Sequence, residues 1–396
     1  MAAKGLEKIL VTGGAGFIGS HTVELLTNSG YQVVMLDNLE PQVHGTLSNV
    51  PDYLNDNATF VKGSLGDYDL LRKLLVEADA VVHLAALVGI GQSMYQVKRY
   101  VETNTGGTAN LLDILANEEH SVRKLIVASS MSIYGEGKYL CEKCASYAYP
   151  SLRSQEQLKN GLWDHLCPSC GSSLSPVPTD ENKPSIPTSV YAMSKRHQEE
   201  LSLLMGKTYG IRTVALRYFN VYGSRQALSN PYTGACAIFL SRVLNGKPPY
   251  MFEDGNQMRD FVHVKDVAQA NLSALKHSNA DYTVINVGTG SPISIRTLAE
   301  MLIQLTGSDV RPYVSSEYRS GDIRHCYADI SRAQKLLEYR PAVRLEDGLL
   351  ELMSWARTYG KLGVDLFDRA LDELKERRLA GSALPNPPKP FNPMTA

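Results

Sequence analysis

The sequence has 396 residues, with 40 Lys or Arg against 41 Asp or Glu and a formal net charge of −1 at pH 7. A charge this close to zero argues against a protein that binds nucleic acid or a membrane surface. No apolar run approaches a membrane span, and the first residues lack a signal-peptide core. We therefore expect a cytoplasmic protein of one large domain or two of ordinary size.

The N-terminal segment has the pattern of a dinucleotide-binding βαβ unit. A predicted strand over 8–12 is followed by a glycine-rich turn over 13–19, a helix over 20–27 and a second strand over 31–36. The glycines let backbone N–H groups approach a pyrophosphate at the helix N-terminus. Asp37 ends the second strand, where a carboxylate bonds ribose hydroxyls and repels a 2′-phosphate, so NAD is favoured over NADP. A tight turn without a ligand is the alternative.

Strands and helices keep alternating along the chain. Further strands are predicted over 58–62, 80–84, 124–129, 213–217 and 282–286, and helices over 68–77, 96–117, 191–209 and 364–377. The alternation predicts an α/β fold with a doubly wound parallel sheet and helices on both faces. Ligands bind such a sheet at the carboxyl ends of its strands, and Ser130 follows the fifth strand. The proline-rich residues 378–396 are predicted to form a loose tail.

The helix over 191–209 begins with a candidate acid/base pair. Tyr191 and Lys195 are four residues apart and therefore share one face of the helix. A nearby ammonium favours the phenolate, so the pKa of the tyrosine falls from its usual value of about 10 and a general base forms. Surface helices often carry this spacing by chance, and its significance here comes from the dinucleotide motif that precedes it.

The segment 136–180 contains two Cys-x-x-Cys knuckles. Cys141 with Cys144, and Cys167 with Cys170, have the spacing of a four-cysteine zinc ribbon. Since protein would fill all four ligand positions, the zinc is expected to be structural. Disulfide bonds are the alternative, which a cytoplasmic location disfavours. The segment mixes acidic and basic residues, so it has no basic face for nucleic acid.

A series of motifs resembles the extended short-chain dehydrogenase/reductase family, and within it the nucleotide-sugar epimerases and dehydratases. They are Gly13-Gly-Ala-Gly-Phe-Ile-Gly19, Asp37-Asn-Leu39, His83-Leu-Ala-Ala-Leu87, Asn104-Thr-Gly-Gly-Thr108, Ser129-Ser-Met-Ser-Ile-Tyr-Gly135, Tyr191-Ala-Met-Ser-Lys195, Arg217-Tyr-Phe-Asn-Val-Tyr-Gly223, Arg259-Asp-Phe-Val-His263, Asn286-Val-Gly-Thr-Gly290 and Arg319-Ser-Gly-Asp322. The resemblance implies an NAD-binding Rossmann domain over 6–222 and 263–288. It also implies a smaller α/β substrate domain over 223–262 and 289–355.

The resemblance further implies roles for individual residues. Tyr191 is the acid/base, Lys195 lowers its pKa and bonds the nicotinamide ribose, and Ser130 hydrogen-bonds the reacting sugar oxygen. The expected contacts of NAD are Gly13, Gly16, Phe17, Ile18, Gly19, Asp37, Asn38, Ser64, Leu65, Leu84, Ala85, Ala86, Asn104, Ser129, Tyr191, Lys195 and Tyr218. The expected contacts of a nucleotide-diphosphate sugar are Ser130, Ser132, Asn220, Tyr250, Phe252, Arg259, Arg319 and Asp322.

Some of these positions have an alternative role. Ser132 either contacts the sugar or packs inside the protein, and Asp322 either bonds a ribose or fixes its own loop. Tyr250 and Phe252 either line the pocket or belong to the core. Ser64 stands where members of the family often carry Asp, which puts the tightness of adenine binding in doubt.

The two residues after Ser130 narrow the expected reaction. Related dehydratases carry Asp-Glu there and decarboxylases carry Glu at the second position, whereas Met131 and Ser132 resemble the 4-epimerases. Such an enzyme oxidises C4 with tightly bound NAD, lets the 4-keto sugar rotate and reduces its other face. The cysteine segment resembles a subgroup acting on dTDP-L-rhamnose, and a UDP-hexose is the other lead substrate. A 4-keto reductase, decarboxylase or dehydratase is the alternative, and a non-catalytic dinucleotide sensor is the remote one.

Two expectations concern larger parts of the molecule. The resemblance implies a homodimer formed through the long helices around 101–117 and 191–209. The cysteine segment lies between Ser130 and Tyr191 in the chain. We therefore expect it to wall the substrate pocket and to help to set the helix of Tyr191.

Overall fold

The computed structural model describes residues 5–45, 50–232, 234–358 and 365–384. Its strands are β1 Lys8–Thr12, β2 Gln32–Asp37, β3 Thr59–Lys62, β4 Ala80–His83, β5 Lys124–Ser130, β6 Lys138–Cys141, β7 Ser146–Ala148, β8 Ser175–Val177, β9 Arg212–Tyr218, β10 Asn220–Tyr222, β11 Tyr250–Met251, β12 Met258–His263, β13 Thr283–Val287, β14 Pro292–Ser294, β15 Tyr313–Val314, β16 Glu317–Arg319, β17 His325–Cys326 and β18 Ala380–Ser382. Its helices are α1 Phe17–Asn28, α2 Pro41–His44, α3 Tyr68–Glu77, α4 Ile90–Ser93, α5 Val97–Tyr100, α6 Gly107–Asn117, α7 Gln155–Lys159, α8 Val190–Tyr209, α9 Ala235–Leu244, α10 Val264–Lys276, α11 Ile295–Thr306, α12 Ser331–Leu337, α13 Leu345–Thr358 and α14 Phe367–Glu376. Within these residues, no helix combines the length and apolar character that crossing a membrane requires.

The largest sheet has seven parallel strands in the order β3-β2-β1-β4-β5-β9-β13. Alternate residues of β1 face opposite apolar layers: Ile9 and Val11 pack in one cluster and Leu10 in another. Burial of both faces explains why the strand shows no polar alternation. The predicted doubly wound sheet is therefore confirmed, with the strands that the sequence indicated. The strand order reverses between β1 and β4, which is where such sheets bind ligands.

One predicted helix is not uniform. The expected helix over 96–117 consists of α5, a π-helical segment at Val101–Gly106, and α6. The segment contains two Thr, an Asn and a Gly, all of them weak helix formers, which explains why the regular hydrogen-bond pattern gives way there.

A second apolar core lies beyond the carboxyl ends of the sheet. Side chains of α9, α11 and α13 pack together with Met251 and Phe261. Short strands surround this core, with β12 between β10 and β14 and with β11 beside β15. Most residues of this core belong to 223–262 and 289–355, the predicted smaller domain, whose bounds stay a prediction.

The cysteine segment forms a small lobe of its own. Its strands make an antiparallel sheet in the order β7-β6-β8, and α7 lies between the two knuckles. The buried apolar cluster of the lobe consists only of Tyr139, Cys141, Cys167 and Leu174. A core this small gives a fold little stability by itself, so the lobe depends on its contacts with the rest of the chain or on a cross-link such as a metal.

The prediction of a loose tail over 378–396 was wrong for its first part. Ala380–Ser382 form β18, which pairs antiparallel with β16 so that Ala380 lies opposite Arg319. Residues 385–396 lie outside the described part of the chain. The prolines that suggested a tail begin after β18, and they do not affect the segment that pairs.

Candidate active site

A cavity of about 800 Å³ lies along the carboxyl ends of the central strands and continues into the smaller domain. It is lined by the glycine turn after β1, the ends of β2, β4 and β5, the first turn of α8, and residues of the second core. All of the predicted NAD and sugar contacts line it except Asn104. The topology therefore gathers residues that are up to three hundred positions apart into one cleft.

The glycine turn brings backbone very close to backbone. Gly13 has a φ of +70°, and a Cβ there would lie 2.8 Å from the backbone nitrogen of Ala85. A Cβ at Gly19 would lie 2.0 Å from the carbonyl oxygen of Gly13. Helix α1 begins after Gly16, and no side chain caps its first N–H groups. The turn fits a pyrophosphate, since these N–H groups face the cavity without a side chain in the way.

Asp37 is held in a fixed orientation at the end of β2. Its carboxylate accepts hydrogen bonds from the backbone N–H of Ala15 at 3.1 Å and of Leu39 at 2.8 Å. His44, which the sequence reasoning missed, places its Nε2 3.8 Å from this carboxylate. Burial lowers the pKa of His44 despite the opposing effects of Asp37 and Glu40, so the ring is neutral at pH 7. It therefore adds no charge that would attract a 2′-phosphate.

Ser132, Ser130 and Tyr191 form a short chain of hydroxyls. The Ser132 hydroxyl donates to Ser130 Oγ at 2.9 Å, and the Ser132 backbone N–H donates to the same oxygen at 3.2 Å. Ser130 in turn acts on Tyr191, since a side-chain hydrogen bond from Ser130 lowers the pKa of the phenol. With both Ser132 donors directed at its oxygen, Ser130 keeps its own proton for Tyr191 or for a ligand oxygen. Ser132 thus acts on Ser130 in addition to lining the cavity.

The charges around Tyr191 differ from the expectation. Burial raises the pKa of Tyr191 to about 12, and among the side chains that the structure describes only the hydrogen bond with Ser130 acts in the opposite direction. Lys195 is itself buried, which lowers its pKa to about 7, and its Nζ donates to the carbonyl oxygen of Ala128 at 3.0 Å. The prediction that Lys195 lowers the pKa of Tyr191 is therefore not reproduced, because the lysine is desolvated and directed at β5.

Asn104 does not line the cavity. It is fully buried, its amide donates to the carbonyl oxygen of Leu87 at 3.0 Å and to Ser194 Oγ at 2.9 Å, and its oxygen accepts from the Leu87 N–H at 2.7 Å. All of its hydrogen-bonding atoms are thus used inside the protein. Asn104 ties the loop after β4 to α8, and its direct contact with the cofactor stays a prediction.

The predicted arginines occupy the cavity wall in two different ways. The Arg259 guanidinium donates to the carbonyl oxygens of Met258, Ile323 and Arg324, at 2.7–2.9 Å, which fixes its orientation. Arg319 lies 4.4 Å above the Phe252 ring and donates to Asp322 at 2.7 Å.

These contacts bear on the open alternatives. Asp322 holds Arg319 in place, which is the loop-fixing role, and it also lines the cavity. Phe252 and Tyr250 both line the cavity and pack against Phe367, so the two roles coexist. Asn220 lines the same wall, and its buried Oδ1 has no hydrogen-bond partner among the described residues. Such an orphaned acceptor fits a ligand donor.

The four cysteines converge on one point. Their sulfur atoms lie within 4.8 Å of one another, with Cys141 and Cys170 at 3.5 Å and Cys144 and Cys167 at 3.9 Å. These separations match a tetrahedral ion with Zn–S bonds of about 2.3 Å. They are far longer than a disulfide bond of about 2.05 Å, and all four cysteines are free. The donor set thus fits zinc and gives no support to the disulfide alternative.

The lobe does not wall the pocket directly, contrary to expectation: none of its residues lines the cavity. Buried hydrogen bonds and ion pairs join the lobe to residues of the cavity wall and to residues beside them. The buried Arg153 donates to Glu253 at 2.8 Å and to the carbonyl oxygen of Asp322 at 3.1 Å. Arg324 pairs with Glu253 at 3.1 Å and with Asp164 of the lobe at 2.8 Å. Sequence spacing gave no sign of this buried charge cluster.

Sequence reasoning also missed α14 as part of the site. Phe367, Ala370, Leu371 and Leu374 of this helix line the cavity. Their spacing of three and four residues is the signal that was available, since it marks one apolar helix face.

Comparison with known proteins agrees with this architecture. The model of the NAD dependent epimerase/dehydratase family matches residues 9–154 and 169–288. A dTDP-L-rhamnose 4-epimerase of Burkholderia thailandensis is 34% identical over 351 residues, covering 88% of this chain and 94% of its own. The UDP-glucose 4-epimerase of Thermotoga maritima, solved with UDP-glucose, is 32% identical with a TM-score of 0.71, covering 88% and 98%. A Bacillus cereus UDP-glucuronic acid 4-epimerase, solved with UDP-glucuronic acid and NAD, is 31% identical with a TM-score of 0.71, covering 88% and 99%. The chain belongs to the NAD-dependent epimerase/dehydratase family.

Proposed function

We propose that this member of the NAD-dependent epimerase/dehydratase family is a nucleotide-sugar 4-epimerase, whose lead substrate is a dTDP-6-deoxyhexose such as dTDP-L-rhamnose. A UDP-hexose is the second candidate. The observation that carries the proposal is the hydroxyl chain Ser132–Ser130–Tyr191 at the end of β5, with Met131 and Ser132 supplying no carboxyl group. A dehydratase or decarboxylase would need such a group. The names of the relatives support the same reaction.

Tyr191 takes the proton of the sugar 4-hydroxyl in this proposal and later returns it. Bound NAD would accept the hydride from C4 and give it back. Ser130 donates a hydrogen bond to the reacting oxygen, and Ser132 keeps the Ser130 proton pointing that way. An oxidised nicotinamide ring bound beside Tyr191 would add a positive charge and so offset the burial that raises the pKa of Tyr191. The glycine turn, Asp37 and Lys195 would hold the cofactor.

The reaction requires a site that binds the nucleotide firmly and the sugar loosely, because the 4-keto sugar must turn over before it is reduced. Arg259 and Arg319 are candidates for the firm contact with the diphosphate, since arginine matches phosphate geometry. The backbone carbonyls that bind Arg259 fix it in advance, which lowers the ordering cost on binding. Asn220 would donate its amide to the same group or accept from the sugar.

Three further proposals accompany this function. The cysteine lobe holds a structural zinc ion, as its sulfur geometry suggests. The chain forms a homodimer through the helical segments around 101–117 and 191–209, where Val101 and Leu204 expose 43% and 60% of their surface. Apolar side chains exposed together on neighbouring helices favour an interface. The enzyme acts in the cytoplasm, where reduced cysteines persist.

The test is incubation of the purified protein with dTDP-, UDP- and GDP-sugars, followed by NMR of the products. Inversion at C4 without added NAD, in at least one dTDP- or UDP-sugar, is the expected outcome. Net formation of NADH would point to a dehydrogenase and consumption of NADH to a 4-keto reductase. Release of water or carbon dioxide would overturn the proposal.

A further inference from the structure

Residues 365–384, here called the strap, form part of the wall of the cavity. Helix α14 of the strap presents an apolar face to the cavity and exposes Asp368, Asp372 and Glu376 on its other side. The apolar side chains are Phe367, Ala370, Leu371 and Leu374. This face has no hydrogen-bonding side chain that could serve a ligand.

The beginning of the strap is anchored to the smaller domain. Arg242 of α9 donates to Asp365 at 3.1 Å and to Asp368 at 2.8 Å, and its guanidinium lies 4.8 Å above the Phe367 ring. The Phe367 ring also packs 6.4 Å from Phe252, the residue on which Arg319 stacks. This end of α14 therefore lies at the arginine side of the cavity.

The other end of α14 reaches the Rossmann side. A Cβ on Gly91 of α4 would lie 3.1 Å from Leu374 Cδ2. In the same helix α4, Ser93 Oγ accepts the backbone N–H of Tyr191 at 3.0 Å. Leu374 is therefore beside α4, the helix that contacts the start of α8, and it lines the same cavity as Tyr191.

A set of tyrosine contacts fastens this end. Tyr95 and Tyr232 donate to the Glu373 carboxylate at 3.2 and 2.9 Å, and Arg377 lies 4.3 Å above the Tyr95 ring. The strap then turns back along β16, where β18 pairs with the strand that carries Arg319. Both ends of the strap are thus held by specific contacts.

We propose that the strap is part of the substrate site and selects nucleotide sugars that carry a methyl group at C6. This inference rests on the proposed function. Helix α14 has 10 residues and so spans about 15 Å, from the arginine end of the cavity toward α4, the helix that contacts the Tyr191 backbone. A sugar with C4 at Tyr191 has its C6 two bonds away, and in the proposed pose C6 points to the side of the cavity that Leu371 and Leu374 line.

The chemistry of that face sets the preference. A C6 methyl gains apolar contact with the two leucines, whereas a C6 hydroxyl loses its water without a partner to replace it. A C6 carboxylate loses still more, because it is charged. The strap therefore favours a 6-deoxyhexose over the corresponding hexose, and a hexose over a hexuronic acid.

The matched ligands are dTDP-L-rhamnose and dTDP-L-mannose, which differ only in the hydroxyl at C6. Calorimetry on the NAD-containing protein is expected to give at least about tenfold tighter binding of dTDP-L-rhamnose. The Leu374→Ser variant should reduce this ratio to about threefold or less, and Leu374→Met should retain it. Asp372→Ser, on the outer face of α14, is the control and should match the unchanged protein. Equal binding of the two sugars by the unchanged protein, or an unchanged ratio in Leu374→Ser, would overturn the inference.

Hydrogen exchange separates this inference from the proposed function. Backbone amides over 367–382 should exchange more slowly when dTDP-L-rhamnose is bound, whether or not the sugar is turned over. Binding with strap protection but without epimerisation would reject the 4-epimerase and keep the strap in the ligand site. Epimerisation without any strap protection would keep the function and reject the strap as part of the substrate site.

Discussion

Ser130 is the residue on which the local chemistry depends. It receives two hydrogen bonds from Ser132, and it is the only side chain of the described residues that counteracts the burial of Tyr191. Lys195, which the helical spacing made the obvious partner, is turned toward the carbonyl oxygen of Ala128. The spacing predicted that Tyr191 and Lys195 share a helix face, but it could not predict how deeply both are buried.

The pH dependence of activity provides a test at this scale. Tyr191 acts as a base only when deprotonated, so activity rises as pH increases through its pKa. Because the Ser130 hydrogen bond lowers that pKa, Ser130→Ala should raise it and move the rising limb of the kcat profile to higher pH. Ser132→Ala should shift the limb in the same direction by a smaller amount. A rising limb that stays in place in Ser130→Ala would contradict this role.

Removal of the Tyr191 hydroxyl gives the second prediction. Tyr191→Phe should reduce kcat by about 10²–10⁴-fold, the usual contribution of a positioned acid/base. Binding of the nucleotide sugar should change little, because the ring still fills the same buried site. Steady-state kinetics measures the loss of kcat, and calorimetry measures the binding of the nucleotide sugar. An unchanged kcat in the variant would show that Tyr191 is not the acid/base, whereas a variant that lost catalysis but kept its full biological effect would revive the remote alternative of a non-catalytic sensor.

At the scale of elements, the sheet and the cysteine cluster could be predicted because their signals are local. Strands buried on both faces leave continuous apolar runs, and zinc knuckles have a fixed spacing. The contacts of Arg153 and Asn104 could not be predicted from the sequence, because each depends on a partner far along the chain. Arg153 bonds Glu253, and Asn104 bonds Ser194. The role of α14 was missed for the same reason, although its apolar periodicity was visible.

The cysteine lobe is expected to affect the binding of the nucleotide sugar but not the binding of NAD. Loss of zinc should loosen Arg153 and, through Glu253 and the Asp322 carbonyl, the wall that carries Arg319. KM for the nucleotide sugar should therefore rise at least about fivefold on zinc chelation, whereas bound NAD should stay constant. Arg153→Met should have the same effect with zinc still present. An unchanged KM in both proteins would show that the lobe does not support the substrate site.

At the scale of the whole molecule, the proposed dimer uses faces that this chain leaves apolar. Leu204 exposes 60% of its surface on α8, and Leu350 exposes 43% on α13, away from the proposed interface. Leu204→Asp should convert a dimer to a monomer in analytical ultracentrifugation, because burying a charge at an interface is unfavourable. Leu350→Asp is the matched control and should remain a dimer. Dimers in both variants would place the interface elsewhere.

The central claim is that hydride leaves C4 and returns to the same carbon on the other face. The most direct measurement is the reaction of dTDP-L-rhamnose, or of whichever dTDP- or UDP-sugar the protein converts, in D₂O without added NAD, followed by NMR. The proposed hydride transfer predicts a product that is inverted at C4 and has no deuterium on any ring carbon, because the hydride never exchanges with solvent. Deuterium at C3 or C5 would instead reveal proton abstraction from carbon, and it would contradict the proposed 4-epimerase.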